Sequence, residues 1–249
     1  MADAVSLDAI VLRIVRYGDA DVIAHLFTRE LGRRNAIAKG ARRQKSRLGT
    51  RLEPFIVVDV LLRAGHGDLA MVQGVELVAA HEQLRQSYAM QQAAAALDML
   101  GRLSVEDAAN EPAFYLTCKL LQTLDAQPSP EPARVAVLVL AFQLKLLHVT
   151  GLAPQLAACT RCGSADNLVA WSAADGGVVC ANCREPGDRV LEPSVLGAAA
   201  WAMQRPLAEI AISDEVPTTA DVGAVSRHIV EPMCTEHAGF RPRAVTSLT

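Results

Sequence analysis

Four of the six cysteines stand in two C-x-x-C pairs, Cys159-Thr-Arg-Cys162 and Cys180-Ala-Asn-Cys183, with 17 residues between them. Each such turn points two thiolates at one ion, and two turns together close a tetrahedral four-cysteine site. The intervening length suits a ribbon hairpin, and Gly163, Gly176 and Gly177 fall where knuckles and hairpins need permissive backbone. The spacing predicts one zinc ion per chain, held by Cys159, Cys162, Cys180 and Cys183. A closed set of four thiolates leaves no open position for water, so the expected role is structural: metal binding supplies folding energy to a module too small for its own core. Arg161, Arg184 and Arg189 would let the ribbon touch a polyanion, but Asp166, Asp175, Glu185 and Asp188 dilute that field.

A second stretch has phosphate-binding chemistry. Between Arg29 and Arg51 lie nine basic residues and one acidic residue, Glu30, whereas the whole chain has 24 basic and 27 acidic residues. The remainder is therefore acidic, and a modest net charge of −3 hides a strongly positive segment. Like charges so crowded repel one another, and a polyanionic partner relieves that repulsion. The candidate nucleic-acid contacts are Arg33, Arg34, Lys39, Arg42, Arg43, Lys45, Arg47 and Arg51, on a loop or hairpin edge punctuated by Gly32, Gly40 and Gly49. The bland alternative is a solvated charged surface with no ligand. Aromatic residues are only 4% of the chain, so base stacking rests on few rings; Tyr17, Phe27 and Phe55 are those near the stretch.

Catalytic templates fail. His81-Glu82 lacks the second histidine of H-E-x-x-H, because position 85 is Arg. No H-x-E precedes the cysteines as a zinc deaminase requires, Gly40 opens no Walker A loop, and no G-x-S-x-G elbow occurs. Cys234 and His237 stand one helical turn apart but have no second pair, and Cys118 reads as a small core residue. His25, His66, His148 and His228 are expected at ordinary surface or core positions.

These residues need elements to position them. Short runs rich in Val, Ile and Leu predict strands over Ala9–Arg16, Asp21–Thr28, Asn35–Lys39, Phe55–Arg63 and Leu69–Leu77, with hairpin-sized connections apart from the basic loop. Five strands in so few residues suggest a small closed barrel of the oligonucleotide-binding kind, though other small barrels share the strand count. From His81 the composition turns to Ala, Leu and Gln, predicting helices over Glu82–Leu103, Glu111–Leu124 and Pro132–Val149. Asn110 is the expected N-cap of the second, with Pro112 in its first turn. The third is apolar nearly all round, which marks the centre of a bundle rather than a bilayer span. After the cysteine module, helix resumes from Pro193 and again over Thr219–His237, with 206–218 read as irregular. The fold class is thus α+β, multidomain: an oligonucleotide-binding barrel over 1–80 and a mainly helical domain over 81–249, with a zinc ribbon inserted at 155–190.

In order and spacing, Y-G-D-A-D-V-I-A-H-L-F-T-R-E-L-G, A-K-G-A-R-R-Q-K-S-R-L-G and R-L-E-P-F resemble the N-terminal domain of the bacterial RecO family of recombination mediators. The four-cysteine insertion in a helical C-terminal half and the closing H-A-G-F-R-P-R are similar to the same family. The resemblance implies a protein of the RecF repair pathway that binds single- and double-stranded DNA and anneals complementary strands. It also implies work with RecR to load RecA onto DNA coated by single-strand-binding protein, whose acidic C-terminal tail the helical domain would bind. It carries DNA contact onto Lys39, Arg42, Arg43, Lys45 and Arg47, and gives the metal an architectural role.

The expected protein is a non-enzymatic, cytoplasmic, nucleoid-associated mediator, with no membrane and no small-molecule substrate. An N-terminus without a basic, apolar leader and paired cysteines that suit metal rather than disulfides fit that setting. Two rivals stand beside it: a zinc-containing enzyme acting on nucleic acid, and a zinc-stabilised adaptor whose basic loop binds an acidic protein tail.

Overall fold

The structure, a computed structural model, describes residues 4–44, 46–65, 69–127 and 131–243; Lys45, His66 and positions 128–130 lie outside these. The N-terminal strands are β1 (Val5–Tyr17), β2 (Asp21–Thr28), β3 (Gly32–Ala38), β4 (Val57–Arg63) and β5 (Leu69–Ala79). They close into a barrel in the order β1-β2-β3-β5-β4, as the sequence leads one to expect of an oligonucleotide-binding fold. All pairs are antiparallel except β3 with β5, which run parallel over Asn35–Ile37 against Leu69–Met71. Alternation puts Leu7, Ala9 and Val11, Val22, Ala24 and Leu26, and Ala36 and Ala38 inside. The alanines leave room for the walls of so small a barrel to approach.

The opposite faces serve another purpose. Ile10, Phe27, Phe55 and Val57 turn outward and belong to the core of the helical half. That half comprises α1 (Glu82–Gln86), α2 (Ala89–Leu103), α3 (Glu111–Asp125), α4 (Pro132–Val149), α5 (Pro193–Gln204), α6 (Leu207–Ile212), α7 (Thr219–Val225) and α8 (Glu231–Ala238). Asn110 caps α3 as expected, accepting from the Ala113 amide at 3.0 Å. α4 is long and apolar enough to cross a membrane, yet every residue from Val135 to Leu144 is buried in the bundle.

Three details depart from the sequence reading. The single helix expected over Glu82–Leu103 breaks at Ser87, whose extended backbone ends α1 while its hydroxyl donates to the Leu84 carbonyl. Residues 207–212, read as irregular, form α6: Leu207 and Ile210 are buried, and Arg134 of α4 donates to the carbonyls of Ile210 and Ser213 at its C-terminal end. Between α7 and α8 the chain takes a π turn over Ser226–Val230. Pro232 has no N–H to offer the expected α-helical acceptor, and the Glu231 amide reaches back to the Ser226 carbonyl instead.

Two contacts lock barrel to helices. His81, in left-handed conformation at the junction, meets the Phe55 carbonyl at 2.6 Å through Nδ1. The connection between α2 and α3 lies on β3, where the Arg33 amide donates to the Val105 carbonyl at 3.1 Å. Gly32 is required there: a Cβ would sit 2.2 Å from the Ala108 carbonyl oxygen, and its φ is +64°.

Candidate nucleic-acid interface and metal centre

Residues 39–56 connect β3 to β4 and close one mouth of the barrel. Ala41, Leu52 and Ile56 plug into the barrel core, which leaves the charged neighbours only the outward direction. The loop is fastened to the β1–β2 turn: the Gly40 amide donates to the Asp21 carboxylate at 2.7 Å and the Arg42 amide to the Ala20 carbonyl at 2.9 Å. At Gly49, a Cβ would fall 2.2 Å from the Ala41 carbonyl oxygen, so the loop folds tightly on itself.

The structure divides the basic residues singled out from the sequence into two groups. Lys39, Arg42, Arg43 and Arg47 are exposed, and none forms an ion pair with a described residue; Arg42 Nη1 only donates to the Asp19 carbonyl at 3.2 Å. Lys45 belongs to the same loop but lies outside the described residues. The others are engaged by the chain itself. Arg33 meets Glu106 at 3.4 Å and the Gly101 carbonyl at 3.2 Å, and Arg34 is paired with Asp107. Arg51 Nη1 donates to the Val75 carbonyl at 2.6 Å across the barrel. Arg33 and Arg34 thus join barrel to helices, and their charge is largely spent before any ligand arrives. Arg29, also in the basic stretch, is tied to Asp8 at 2.8 Å and to Glu30.

Beside β1, β2 and β3 opens a cleft of about 1440 Å³ between the barrel and α1–α2. Arg13, His25, Arg33 and Asn35 line its barrel wall, and Arg85 and Arg102 its helical wall. The arginines of the helical wall are paired, Arg85 with Glu53 and Arg102 with Asp98 at 2.9 Å. Partial burial and the Arg13 charge hold the His25 imidazole below its usual pKa, so the ring is neutral at pH 7. The sequence did not single out Arg13. Its signal was the strand alternation, which a bulge between Val11 and Arg13 shifts by one residue.

The cysteines converge as their spacing predicts. β6 (Leu168–Ser172), β7 (Gly177–Cys180) and β8 (Arg189–Val190) form a small sheet ordered β7-β6-β8, and the four Sγ atoms lie within 4.8 Å of one another. Cys162 and Cys180 sulfurs are 3.8 Å apart, far beyond a disulfide bond. A tetrahedron with metal–sulfur bonds of about 2.3 Å has edges of roughly 3.8 Å, so the cluster has the dimensions of a zinc site. Its electrostatics also suit a cation. Hydrogen bonding from the Cys180 backbone, with further backbone donors, draws Cys159 down to about 6, while the neighbouring sulfurs, Cys162 first, push Cys183 up to about 12. Four thiolates cannot coexist here without positive charge between them. Arg161, between the first two cysteines, is folded inward: Nη1 meets the buried Asp188 carboxylate at 2.7 Å and the Cys183 carbonyl at 2.6 Å, and Nε meets Asp175 at 2.9 Å. It braces the two knuckles and holds the Asp188 carboxyl below its usual pKa. Cys234 and Cys118 take no part; burial raises both thiols.

Comparison with known proteins agrees with this architecture. The family pattern described as recombination protein O N terminal matches residues 1–81, and recombination protein O C terminal matches residues 85–243. A protein named DNA repair protein RecO from Anaeromyxobacter sp. (strain K) is 33% identical over 243 residues, covering 96% of this chain and 93% of its own. Relatives of the same name from Syntrophotalea carbinolica and a Nocardioides species are 35% and 37% identical over 208 and 211 residues, covering 82% and 81% of this chain and 79% and 85% of theirs. With a five-stranded barrel, a helical half and a cysteine cluster all in place, this chain belongs to the recombination protein O family.

Proposed function

We propose that the chain is a non-enzymatic recombination mediator that binds single- and double-stranded DNA through the basic loop at the barrel mouth and anneals complementary strands. The observation that carries this reading is the contrast within one stretch of sequence. Lys39, Arg42, Arg43 and Arg47 stand exposed with no carboxylate partner among the described residues, while Arg33, Arg34 and Arg51 are consumed within the fold. Cations held outward by an apolar plug release condensed counterions when they meet phosphates, and they screen the repulsion between two strands. Lys45 lies in the same loop and joins the proposed set.

The rest of the proposal follows the family. The barrel over 1–80 takes the nucleic acid; the helical domain over 81–249 docks partners, RecR and the acidic tail of single-strand-binding protein, so that RecA is loaded onto coated DNA in the cytoplasm, at the nucleoid. Cys159, Cys162, Cys180 and Cys183 would hold one zinc ion, which supplies the positive charge that closes the ribbon and takes no part in chemistry.

The test is a double charge reversal, Arg42→Glu with Arg43→Glu. Annealing and binding to both DNA forms should be lost while the circular dichroism spectrum is unchanged; annealing at the wild-type rate would sink the assignment. With about five phosphates neutralised, log affinity for single strands should fall with log salt at a slope near −3.5.

A further inference from the structure

The cysteine ribbon has a fixed end and an open end. At the fixed end Trp171 of β6 and Val178 of β7 belong to the helical core, and His237 of α8 meets the Ala173 carbonyl at 2.8 Å through Nε2. Gly176 lies so close to α8 that a Cβ there would be 3.5 Å from the Met233 sulfur. At the open end stand the two knuckles, and they do not shelter their sulfurs equally. Cys159 and Cys180 are buried and Cys183 is half-buried, but Cys162 is exposed. A Cβ on the adjacent Gly163 would meet nothing within 4 Å, so small solutes reach this side of the first knuckle. Across the cluster the Cys180 sulfur stands 3.8 Å from that of Cys162. The knuckles also have a fastening made of protein alone: Arg161 pairs with Asp175 at 2.9 Å and with Asp188 at 2.7 Å, and its Nη1 donates to the Cys183 carbonyl at 2.6 Å. The two cysteines outside the ribbon are inert by contrast. Burial pushes Cys118 up to about 11 and Cys234 up to about 12, which keeps both as thiols, and the thiol is not the nucleophile.

We propose that Cys162 is an oxidation site with Cys180 as its resolving partner, so that hydrogen peroxide converts the four-cysteine set to one disulfide and two thiolates and frees the metal. The inference rests on the zinc reading above and adds a chemistry of the ligands themselves. The Cys162 thiolate attacks one peroxide oxygen; the O–O bond breaks, hydroxide leaves, and a sulfenic acid forms. The Cys180 thiolate then attacks the Cys162 sulfur; the S–S bond forms, the S–O bond breaks, and the oxygen leaves as a second hydroxide. The two sulfurs together give up two electrons, the peroxide takes them, and two protons from solvent complete two waters. Cys159 and Cys183 are then half of a tetrahedral set. Because Arg161 and the anchored hairpin hold the knuckles in register, the change stays local, and a dithiol reductant reverses it by exchange, becoming a disulfide as it returns both thiols.

The experiment treats the purified full chain with hydrogen peroxide in the presence of a metallochromic zinc indicator, then alkylates the remaining thiols and maps the peptides by mass spectrometry. One zinc per chain should be released in step with a peptide pair joining Cys162 to Cys180, while Cys118 and Cys234 are recovered alkylated. Dithiothreitol followed by added zinc should restore the metal content. Zinc content before treatment tests the metal reading, and the peptide map tests this one. A chain that carries one zinc and keeps Cys162 and Cys180 as thiols through peroxide treatment overturns the oxidation site and leaves the metal reading standing. A disulfide from Cys162 to Cys159 or Cys183 overturns Cys180 as the resolving partner, and oxidation of all six cysteines at one rate overturns the site as well. A chain without zinc whose map still joins Cys162 to Cys180 supports the oxidation site and sinks the metal reading.

Discussion

At the scale of single residues, what could be read from the sequence depended on how far away the partner lies. The cysteine cluster was legible because each knuckle is a local turn, and only one distance, between two turns, had to be closed by folding. The metal reading makes a direct prediction: elemental quantitation should give one zinc per chain, and Cys180→Ser should lose it and alter the near-ultraviolet signal of Trp171, which stands in β6 of the ribbon with its side chain buried in the helical core. Zinc retained in that variant would remove Cys180 from the ligand set. The fate of Arg33 and Arg34 was not legible, because their carboxylate partners, Glu106 and Asp107, lie about 70 residues downstream. A charge run looks the same in sequence whether it faces a polyanion or the protein's own acid. Arg161 is the same lesson in miniature: a cation in a knuckle, free to touch phosphate on paper, but turned inward by Asp175 and Asp188.

At the scale of elements, period and composition gave the five strands and two of the three helices expected from Glu82 to Val149, the first being two helices in the structure, and ends were blurred where backbone chemistry intervened. The Ser87 break, the six residues of α6 and the π turn before Pro232 each hinge on one residue's hydrogen bonding, to which hydrophobic period is blind. α4 holds a different kind of exception. Gln143 is fully buried near its middle, and neither amide atom has a hydrogen-bond partner among the described residues. A buried, unpaired amide costs about 1–3 kcal/mol, so Gln143→Leu should raise stability by about 1 kcal/mol or more, seen as a higher denaturant midpoint with an unchanged slope. A lowered midpoint would mean that the amide is satisfied by a buried water and serves the core.

At the scale of the molecule, barrel and bundle share apolar side chains and a seam of charge. Ile10, Phe27, Phe55 and Val57 are barrel residues in the helical core, and Glu106 and Asp107 grip β3 from the other side. Exposed ion pairs contribute only about 0–1 kcal/mol each, so Glu106→Gln with Asp107→Asn should leave a single cooperative unfolding transition. The same change frees Arg33, which lines the cleft, and Arg34 beside it in β3, and DNA affinity should rise several-fold at low salt, measured by fluorescence anisotropy of a labelled oligonucleotide; unchanged affinity would place both arginines outside the phosphate path. Within the barrel, parallel β3 and β5 meet over only three residue pairs, against seven between β2 and β3 and seven between β4 and β5. The cylinder is thus a curled three-ply ribbon buttoned to a two-ply flap, and spontaneous breathing will begin along that short fastening. Because the cationic loop runs from β3 to β4 and so straddles that fastening, with Arg51 tied to the Val75 carbonyl of β5, any such yawning would pull on the gripping surface itself.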